Sequence, residues 1–203
     1  MSASLWDCTA EELLRRASAA DPTPGGGAIA AVAAAFGLSL VRMAIEVTLS
    51  TADGPAGNLA KLAYARDRAG ALQALVVAAA DRDVEEFDAL MAGYRMPRDT
   101  EAEQASRSRA IDAATVTATH GPLSLAEVAL EGIELVNAVE LLIKASIVSD
   151  AQAGRDLLRG AVLAALRTAD INLVALERRD HREAQLLRRR RDAVQRAAAG
   201  ECG

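Results

Sequence analysis

An all-α fold is the prediction from this sequence of 203 residues: a multi-helix bundle of about six or seven helices with an extended C-terminal helix. Hydrophobic residues make up 51% of the chain but aromatic residues only 2%, so Ala, Leu, Val and Ile must fill the core. Such small side chains let helix axes approach closely. Alternating β-branched runs bounded by turns, which are typical of strands, are missing, whereas helix-start patterns are frequent.

The helix starts follow a repeated pattern, in which Glu or Gln comes three residues after Ser or Thr. These capping-box patterns begin at Thr9, Thr100, Ser124 and Ser149. Proline disfavours helical backbone in the residue before it, so three pairs mark connections: Gly54-Pro55, Met96-Pro97 and Gly121-Pro122. The span 57–94 is either one helix or two helices that meet at a kink near Asp81. The predicted helices span residues 9–20, 26–50, 57–94, 99–119, 123–147, 150–179 and 180–199.

The C-terminal segment differs in composition from the rest of the chain. We predict a helical domain over residues 1–179 and an arginine-rich helical tail over residues 180–203. The tail has few apolar anchors, so we expect it to project from the core or to wrap around a partner. Two interpretations of its arginines stay open: an anion or nucleic-acid patch, or a solvated helix in which they pair with nearby acids. Those acids are Asp180, Glu183 and Asp192.

Charge and cysteine content argue against several classes of protein. The net charge of −5 disfavours a general nucleic-acid binder, which needs a basic surface. Cys8 and Cys202 stand near opposite ends, and free thiols suit the reducing cytoplasm. The sequence has no Cys or His cluster with metal-ligand spacing and no signal peptide, and the apolar run 28–41 is shorter than the roughly 20 residues that span a bilayer. We therefore expect a cytoplasmic protein without metal or membrane contact.

The segment DPTPGGGAIAAVAAAFGLSLVRMA, residues 21–44, places flexible backbone directly before a helix-prone run. A nucleotide loop is disfavoured, because the Lys-Ser/Thr of a P-loop, the GxGxxG spacing and a preceding strand are all missing. Gly25, Gly26 and Gly27 instead let either another helix or a flat ligand approach the bare backbone. Glycines in a helix cost roughly 1 kcal/mol each relative to alanine, which packing or binding must offset.

This segment and several others resemble a known family. DPTPGGGAIAAVAAAFGLSLVRMAIEVT is similar to the N-terminal signature of the formiminotetrahydrofolate cyclodeaminase and methenyltetrahydrofolate cyclohydrolase family. Further matches keep the family's order: DVEEFDALMAGYRMPRDTEAEQASRSRAI at 83–111, ATHGPLSLAE, IVSDAQAG, and INL at 171–173. The resemblance implies an all-helical bundle, usually a homodimer, that binds a one-carbon adduct of tetrahydrofolate as its substrate and needs no metal.

The resemblance implies one of two reactions of folate-dependent one-carbon metabolism. One is hydrolysis of 5,10-methenyltetrahydrofolate to 10-formyltetrahydrofolate, and the other is cyclodeamination of 5-formiminotetrahydrofolate. The methenyl carbon is already electrophilic, so an enzyme needs to position water, remove its proton and protonate the departing N5. The alternative is a catalytically divergent folate-binding or regulatory subunit with the same helical fold.

The family match also suggests catalytic candidates. Asp150 matches the family's Ser-Asp pair and is the first candidate for base or pterin ligand, and Asp21 is the second. Taken without the family, Ser149 and Asp150 also suit an ordinary helix start, with the hydroxyl as cap and the carboxylate near the positive end of the helix dipole.

The candidates for folate binding come from four parts of the chain. Arg42 would bind the folate carboxylates or lie exposed, and Tyr94 would stack on the pterin or close the core. Asn172 would bond to the ligand or to a neighbouring helix end. The full set is Pro24, Gly25, Gly26, Gly27, Arg42, Tyr94, Ser149 and Asn172.

The chain departs from the family pattern at four places. Residues 50–55 replace a basic run, residues 144–147 replace a Gly-Asn-x-Asn segment, Asp170 replaces an arginine, and Ala28 stands where a serine is common. None of these changes disturbs the helical pattern, so they bear on the site rather than on the fold.

Overall fold

A computed structural model describes residues 4–51 and 55–200. Over these residues the chain forms six α-helices and two short 3₁₀ helices, Leu5–Asp7 and Glu140–Leu142, with no strand. The predicted all-α class is confirmed. The α-helices are α1 (Ala10–Ala17), α2 (Gly26–Thr51), α3 (Ala56–Arg95), α4 (Glu101–Val139), α5 (Val148–Arg178) and α6 (Ala184–Gly200).

Two of the four predicted helix starts are confirmed. The Thr9 hydroxyl accepts the Glu12 N–H at 3.1 Å, and Thr100 and Glu103 form a complete capping box. At the other two, the predicted cap is wrong. Ser124 lies inside α4, and α5 begins after Ile147 without a side-chain cap, two residues before its predicted start.

The predicted break at Gly121-Pro122 is also wrong, because α4 continues through it. Pro122 has no N–H, so the carbonyl of Ala118, four residues earlier, loses its helical partner. Asn172 on α5 donates its Nδ2 to that carbonyl at 2.7 Å. A side chain of the neighbouring helix thus replaces the missing backbone hydrogen bond. The span 57–94 belongs to one helix, α3, and Gly54 of the predicted connection before it lies outside the described residues.

The four long helices pack in the cyclic order α2, α3, α4, α5, each against two neighbours. By length and composition α2 could cross a membrane, but 61% of its most apolar window is buried inside the protein. It meets α5 at a glycine pair, where a Cβ on Gly37 would lie 2.8 Å from the Gly154 carbonyl oxygen. Small residues therefore let these two backbones touch, as the alanine-rich composition predicts.

The arginine-rich helix α6 packs on α4 and α5 instead of projecting from them. Its apolar residues Leu187 and Val194 are buried in the main core. Several of its arginines pair with acids of the bundle: Arg188 with Glu177 and Asp170, Arg190 with Glu127, and Arg191 with Asp170.

These contacts correct the picture of a projecting tail. Two of the expected acids do form ion pairs, Asp192 with Arg191 and Glu183 with Arg182. The larger contribution comes from acids of α4 and α5 that the local sequence does not reveal. Asp170, which stands where the family pattern has an arginine, accepts hydrogen bonds from Arg188 and Arg191 of α6. The division into two domains at residue 179 stays a prediction.

Candidate active site

The beginning of α2, the C-terminal half of α3, the middle of α4 and the second half of α5 enclose a cavity of about 620 Å³. The bare backbone of Gly25–Gly27 forms one part of its wall. A face of α3 forms another, with Asp83, Glu86, Phe87 and Tyr94 at helical spacing. The cavity therefore combines exposed peptide groups, aromatic rings and two carboxylates.

Asp83 caps the glycine-rich start of α2. Its Oδ2 accepts the N–H of Ala28 at 2.8 Å, and a Cβ on Gly27 would overlap its carboxylate. The N-terminal N–H groups of a helix lack internal partners and favour a nearby negative charge, so the contact stabilises both the start of α2 and the Asp83 carboxylate. Burial raises the pKa of Asp83, and the hydrogen bond from Ala28 opposes that rise. Glycine at position 27 thus admits a carboxylate from another helix.

Glu86 lies three residues after Asp83, on the same face of α3. Burial, assisted by the negative charge of Asp83, raises the pKa of Glu86 to about 7. A Cβ on Gly121 would overlap the Glu86 carboxylate, so the glycine before the α4 proline provides its space. A carboxyl group with this pKa exchanges protons readily near neutral pH.

A second, smaller cavity of about 230 Å³ adjoins the same carboxylates. Gly27, Asp83 and Glu86 line both cavities, and Gly121 and Ser124 line the smaller one. The carboxylate pair thus lies between two cavities. The larger one has room for an organic ligand, and the smaller one has room for a few water molecules.

The lining of the larger cavity also includes a tyrosine ring, a guanidinium and an amide. Tyr94 is half-exposed, and the Arg107 guanidinium lies 5.8 Å from the centre of its ring. Arg167 and Asn172 reach the cavity from α5. Over the described parts of the chain, no group of three or more His, Cys, Asp or Glu residues is placed to hold a metal ion.

Comparison with known proteins identifies the fold and its family. The sequence profile of the formiminotransferase-cyclodeaminase family matches residues 9–192. The chain belongs to this family. It is 33% identical over 168 residues to a methenyltetrahydrofolate cyclohydrolase of Methylorubrum extorquens, an alignment that covers 81% of this chain and 77% of the relative.

A solved structure shows the same fold. The crystal structure of formiminotetrahydrofolate cyclodeaminase from Thermotoga maritima superposes with a TM-score of 0.74, over 98% of this chain and 97% of that one. At 17% identity this likeness concerns the fold alone. The family inferred from the Pro-Gly signature and the 83–111 segment is confirmed.

Five of the residues selected by the family resemblance line the larger cavity, namely Gly25, Gly26, Gly27, Tyr94 and Asn172. Pro24 is buried beside them and follows a cis peptide bond from Thr23. Asp21 is exposed, and its Oδ1 accepts the N–H and the hydroxyl of Thr23, both at 3.3 Å. It shapes the turn before α2 but does not itself line the cavity.

Three other candidates lie away from the cavity of their own chain. Arg42 donates to Gln73 at 2.7 Å, between α2 and α3. Ser149 and Asp150 begin α5, and the nearest cavity residues on that helix are in its second half. At 1.5 Å per residue, Asp150 and Arg167 are roughly 25 Å apart along the axis. The expected convergence of the glycine turn with Asp150 is therefore not found within one chain.

Sequence reasoning did not select Asp83, Glu86 or Arg167. Asp83 is the first residue of the 83–111 segment, which resembles the family, so the sequence does contain a feature that points to it. Glu86 follows at a spacing that places both carboxylates on one helix face. Contact between Gly27 and Asp83 joins residues 56 positions apart, which local pattern cannot reveal.

Proposed function

We propose that this chain hydrolyses 5,10-methenyltetrahydrofolate to 10-formyltetrahydrofolate, with Glu86 as the general base. The observation that carries the proposal is the pair of partly buried carboxylates, Asp83 and Glu86, on the wall of a cavity of about 620 Å³. The name of the relative with 33% identity supports this choice of substrate.

The cavity offers a suitable surface for each part of the substrate. The backbone of Gly25–Gly27 and the rings of Phe87 and Tyr94 suit a flat pterin. Asn172 adds an amide for hydrogen bonding to the pterin. Arg167, exposed at the cavity, takes over the role first proposed for Arg42 and binds the glutamate carboxylates.

The two carboxylates have separate tasks. The methenyl group carries a delocalised positive charge, which the anionic Asp83 stabilises on binding. Ionised Glu86 removes a proton from water as the oxygen bonds to the methenyl carbon. Protonated Glu86 then delivers that proton to N5 as the carbon–N5 bond breaks, and the second water proton leaves to solvent as the formyl group forms. A pKa of about 7 lets Glu86 perform both steps at neutral pH.

Turnover of methenyltetrahydrofolate tests the proposal directly. The wild-type chain should accelerate its hydrolysis well beyond buffer, and Glu86→Gln should lower kcat by about 10²–10⁴-fold with a smaller effect on KM. Asp88→Asn, at an exposed position of α3, is the matched control and should retain activity. Hydrolysis no faster than buffer would remove the proposal, and full activity in Glu86→Gln would remove Glu86 as the base.

The same assay distinguishes the other functions. Ammonia release from 5-formiminotetrahydrofolate, without methenyl hydrolysis, would identify a cyclodeaminase. Calorimetric binding of tetrahydrofolate without either reaction would identify a binding or regulatory subunit.

We also propose that the chain forms a homodimer through α2. One side of this helix carries apolar residues at alternating spacings of four and three: Ile29, Ala33, Phe36, Leu40, Met43 and Val47. This is the spacing of a helix–helix seam. Phe36 is 59% exposed on the monomer, so a second copy of α2 would cover an apolar surface.

A further inference from the structure

Arg190 of α6 joins three residues of α4 that surround the Gly121-Pro122 interruption. Its Nε and Nη2 donate to both carboxylate oxygens of Glu127, at 2.7 and 2.6 Å. Its Nη2 also donates to the Ser124 hydroxyl at 2.9 Å, and its Nη1 lies 3.0 Å from Nδ1 of His120. One guanidinium therefore bonds α4 both before and after the interruption.

This part of α4 lacks one helical hydrogen bond, although its position determines the packing around Glu86. Pro122 removes the N–H that would bond to Ala118, and Gly121 packs directly against the Glu86 carboxylate. Ser124, which Arg190 holds, lines the smaller cavity together with Glu86. A shift of α4 here would separate Gly121 from Glu86 and admit water to the carboxylate.

We infer that Arg190 is a positioning residue for the proposed reaction, because it holds α4 across Gly121-Pro122 and so keeps Gly121 against Glu86. The inference rests on the proposed function for its kinetic consequence, but its structural part does not. Arg190 does not touch the cavity and acts only through α4. At Arg190 the arginine-rich segment is then a functional part of the bundle and not a passive tail.

The charged groups that shift the pKa of Glu86 are Asp83, Arg82 and Glu85, all on α3. From α5, Arg167 lines the same cavity. Across α4 stand His120, Glu127 and Arg190, which form the network described above.

A lost positive charge and a lost position of α4 would move the pKa of Glu86 in opposite directions. Removal of a positive charge raises the pKa of a carboxyl group, whereas exposure to water lowers a pKa that burial has raised. A decrease in the pKa of Glu86 therefore indicates that the carboxylate has become exposed to water, and an increase indicates only the loss of a positive charge.

The experiment compares pH–rate profiles of Arg190→Gln and two control variants. Arg190→Gln should lower kcat about ten-fold and move the acidic midpoint of the profile down by about one pH unit, with KM within about two-fold. Arg189→Gln removes the same charge from an exposed position of α6. Arg191→Gln removes an ion pair between α6 and α5, which loosens the helix elsewhere. Neither control should move the midpoint downward.

Two further measurements make the outcome unambiguous. Arg190→Lys keeps the charge but not the bidentate geometry, so it should shift the midpoint in the same direction and serves if Arg190→Gln fails to fold. NMR titration of ¹³C-labelled glutamate, with Glu86 assigned through Glu86→Gln, gives the pKa without turnover. It therefore tests the position of Glu86 even if the wild-type chain proves inactive on folates. An unchanged or raised pKa of Glu86 in Arg190→Gln, or an equal decrease in Arg191→Gln, would overturn the inference.

Discussion

Gly27 shows at the scale of one residue why flexible backbone precedes the apolar helix α2. The space where its side chain would lie is filled by the Asp83 carboxylate, which accepts the N–H of the next residue. Neighbouring Gly26 is different, because the nearest atom to a Cβ there would be the Thr168 hydroxyl oxygen, 3.9 Å away. The glycines of this turn therefore have unequal roles.

Substitution of these two glycines tests that difference. Gly27→Ala should displace Asp83, lower activity at least ten-fold and cost about 1–3 kcal/mol of folding free energy through overpacking. Gly26→Ala should change stability by less than about 1 kcal/mol, because alanine favours the helix and has room. Denaturant unfolding and methenyltetrahydrofolate turnover measure both variants. Equal losses of folding free energy in the two variants would show that the Gly27–Asp83 contact is unimportant.

Glu86 makes the free energy of unfolding depend on pH. Its pKa is about 7 in the folded chain and near the ordinary 4.5 when unfolded, so the native state holds a proton that the unfolded chain releases between these values. Stability therefore decreases as pH rises through this window. Glu86→Gln lacks this titration. Its free energy of unfolding, relative to that of the wild type, should therefore increase by on the order of 1 kcal/mol between pH 5 and pH 8. This figure is discounted for the partial exposure of the side chain. Parallel pH profiles of the two proteins in urea unfolding would contradict this pKa.

At the scale of helices, local pattern predicted α1, α2 and α3 well, since caps, prolines and apolar spacing are short-range signals. It failed at α4, where Gly121-Pro122 reads as a connection but lies inside one helix. The reason is the hydrogen bond from Asn172, which comes from another helix. Position 172 was selected as a ligand or a partner for a helix end, and the contact it makes is with the backbone of α4.

A double-mutant cycle tests how Asn172 supports α4. Asn172→Ala should cost about 1–3 kcal/mol of folding free energy, because the buried carbonyl of Ala118 is left without a donor. In a Pro122→Ala background the cost should be smaller, since residue 122 then supplies its own N–H. Chemical denaturation of the four proteins gives the coupling energy. The same cost in both backgrounds would show that Asn172 does not replace the missing bond.

At the scale of the whole molecule, the family and the glycine wall of the cavity were predictable, but the proposed catalytic groups were not. Asp150 was selected because its local segment matched the family. The length of α5 places it far from the Gly25–Gly27 turn, a distance that only the packed bundle reveals. Asp83 and Glu86 become candidates once α3 is seen to pass beside α2. The segment 52–54, within one departure from the family, lies outside the described residues, as does Cys202.

The proposed dimer is a prediction at this same scale. Phe36→Glu places a charge in the apolar seam of α2 and should convert the dimer to a monomer at micromolar concentration. Leu14→Glu, at a position of α1 that is 72% exposed, is the control and should leave the dimer intact. Sedimentation velocity distinguishes the two states. A wild-type monomer, or equal dissociation of both variants, would argue against pairing through α2.

A crystal structure of the chain with a tetrahydrofolate analogue tests the central claim most directly. We predict the pterin against the backbone of Gly25–Gly27, the one-carbon position within hydrogen-bonding reach of Glu86, and the glutamate carboxylates toward Arg167. An analogue bound at the Asp150 end of α5, with the cavity beside Asp83 and Glu86 left unfilled, would contradict the account.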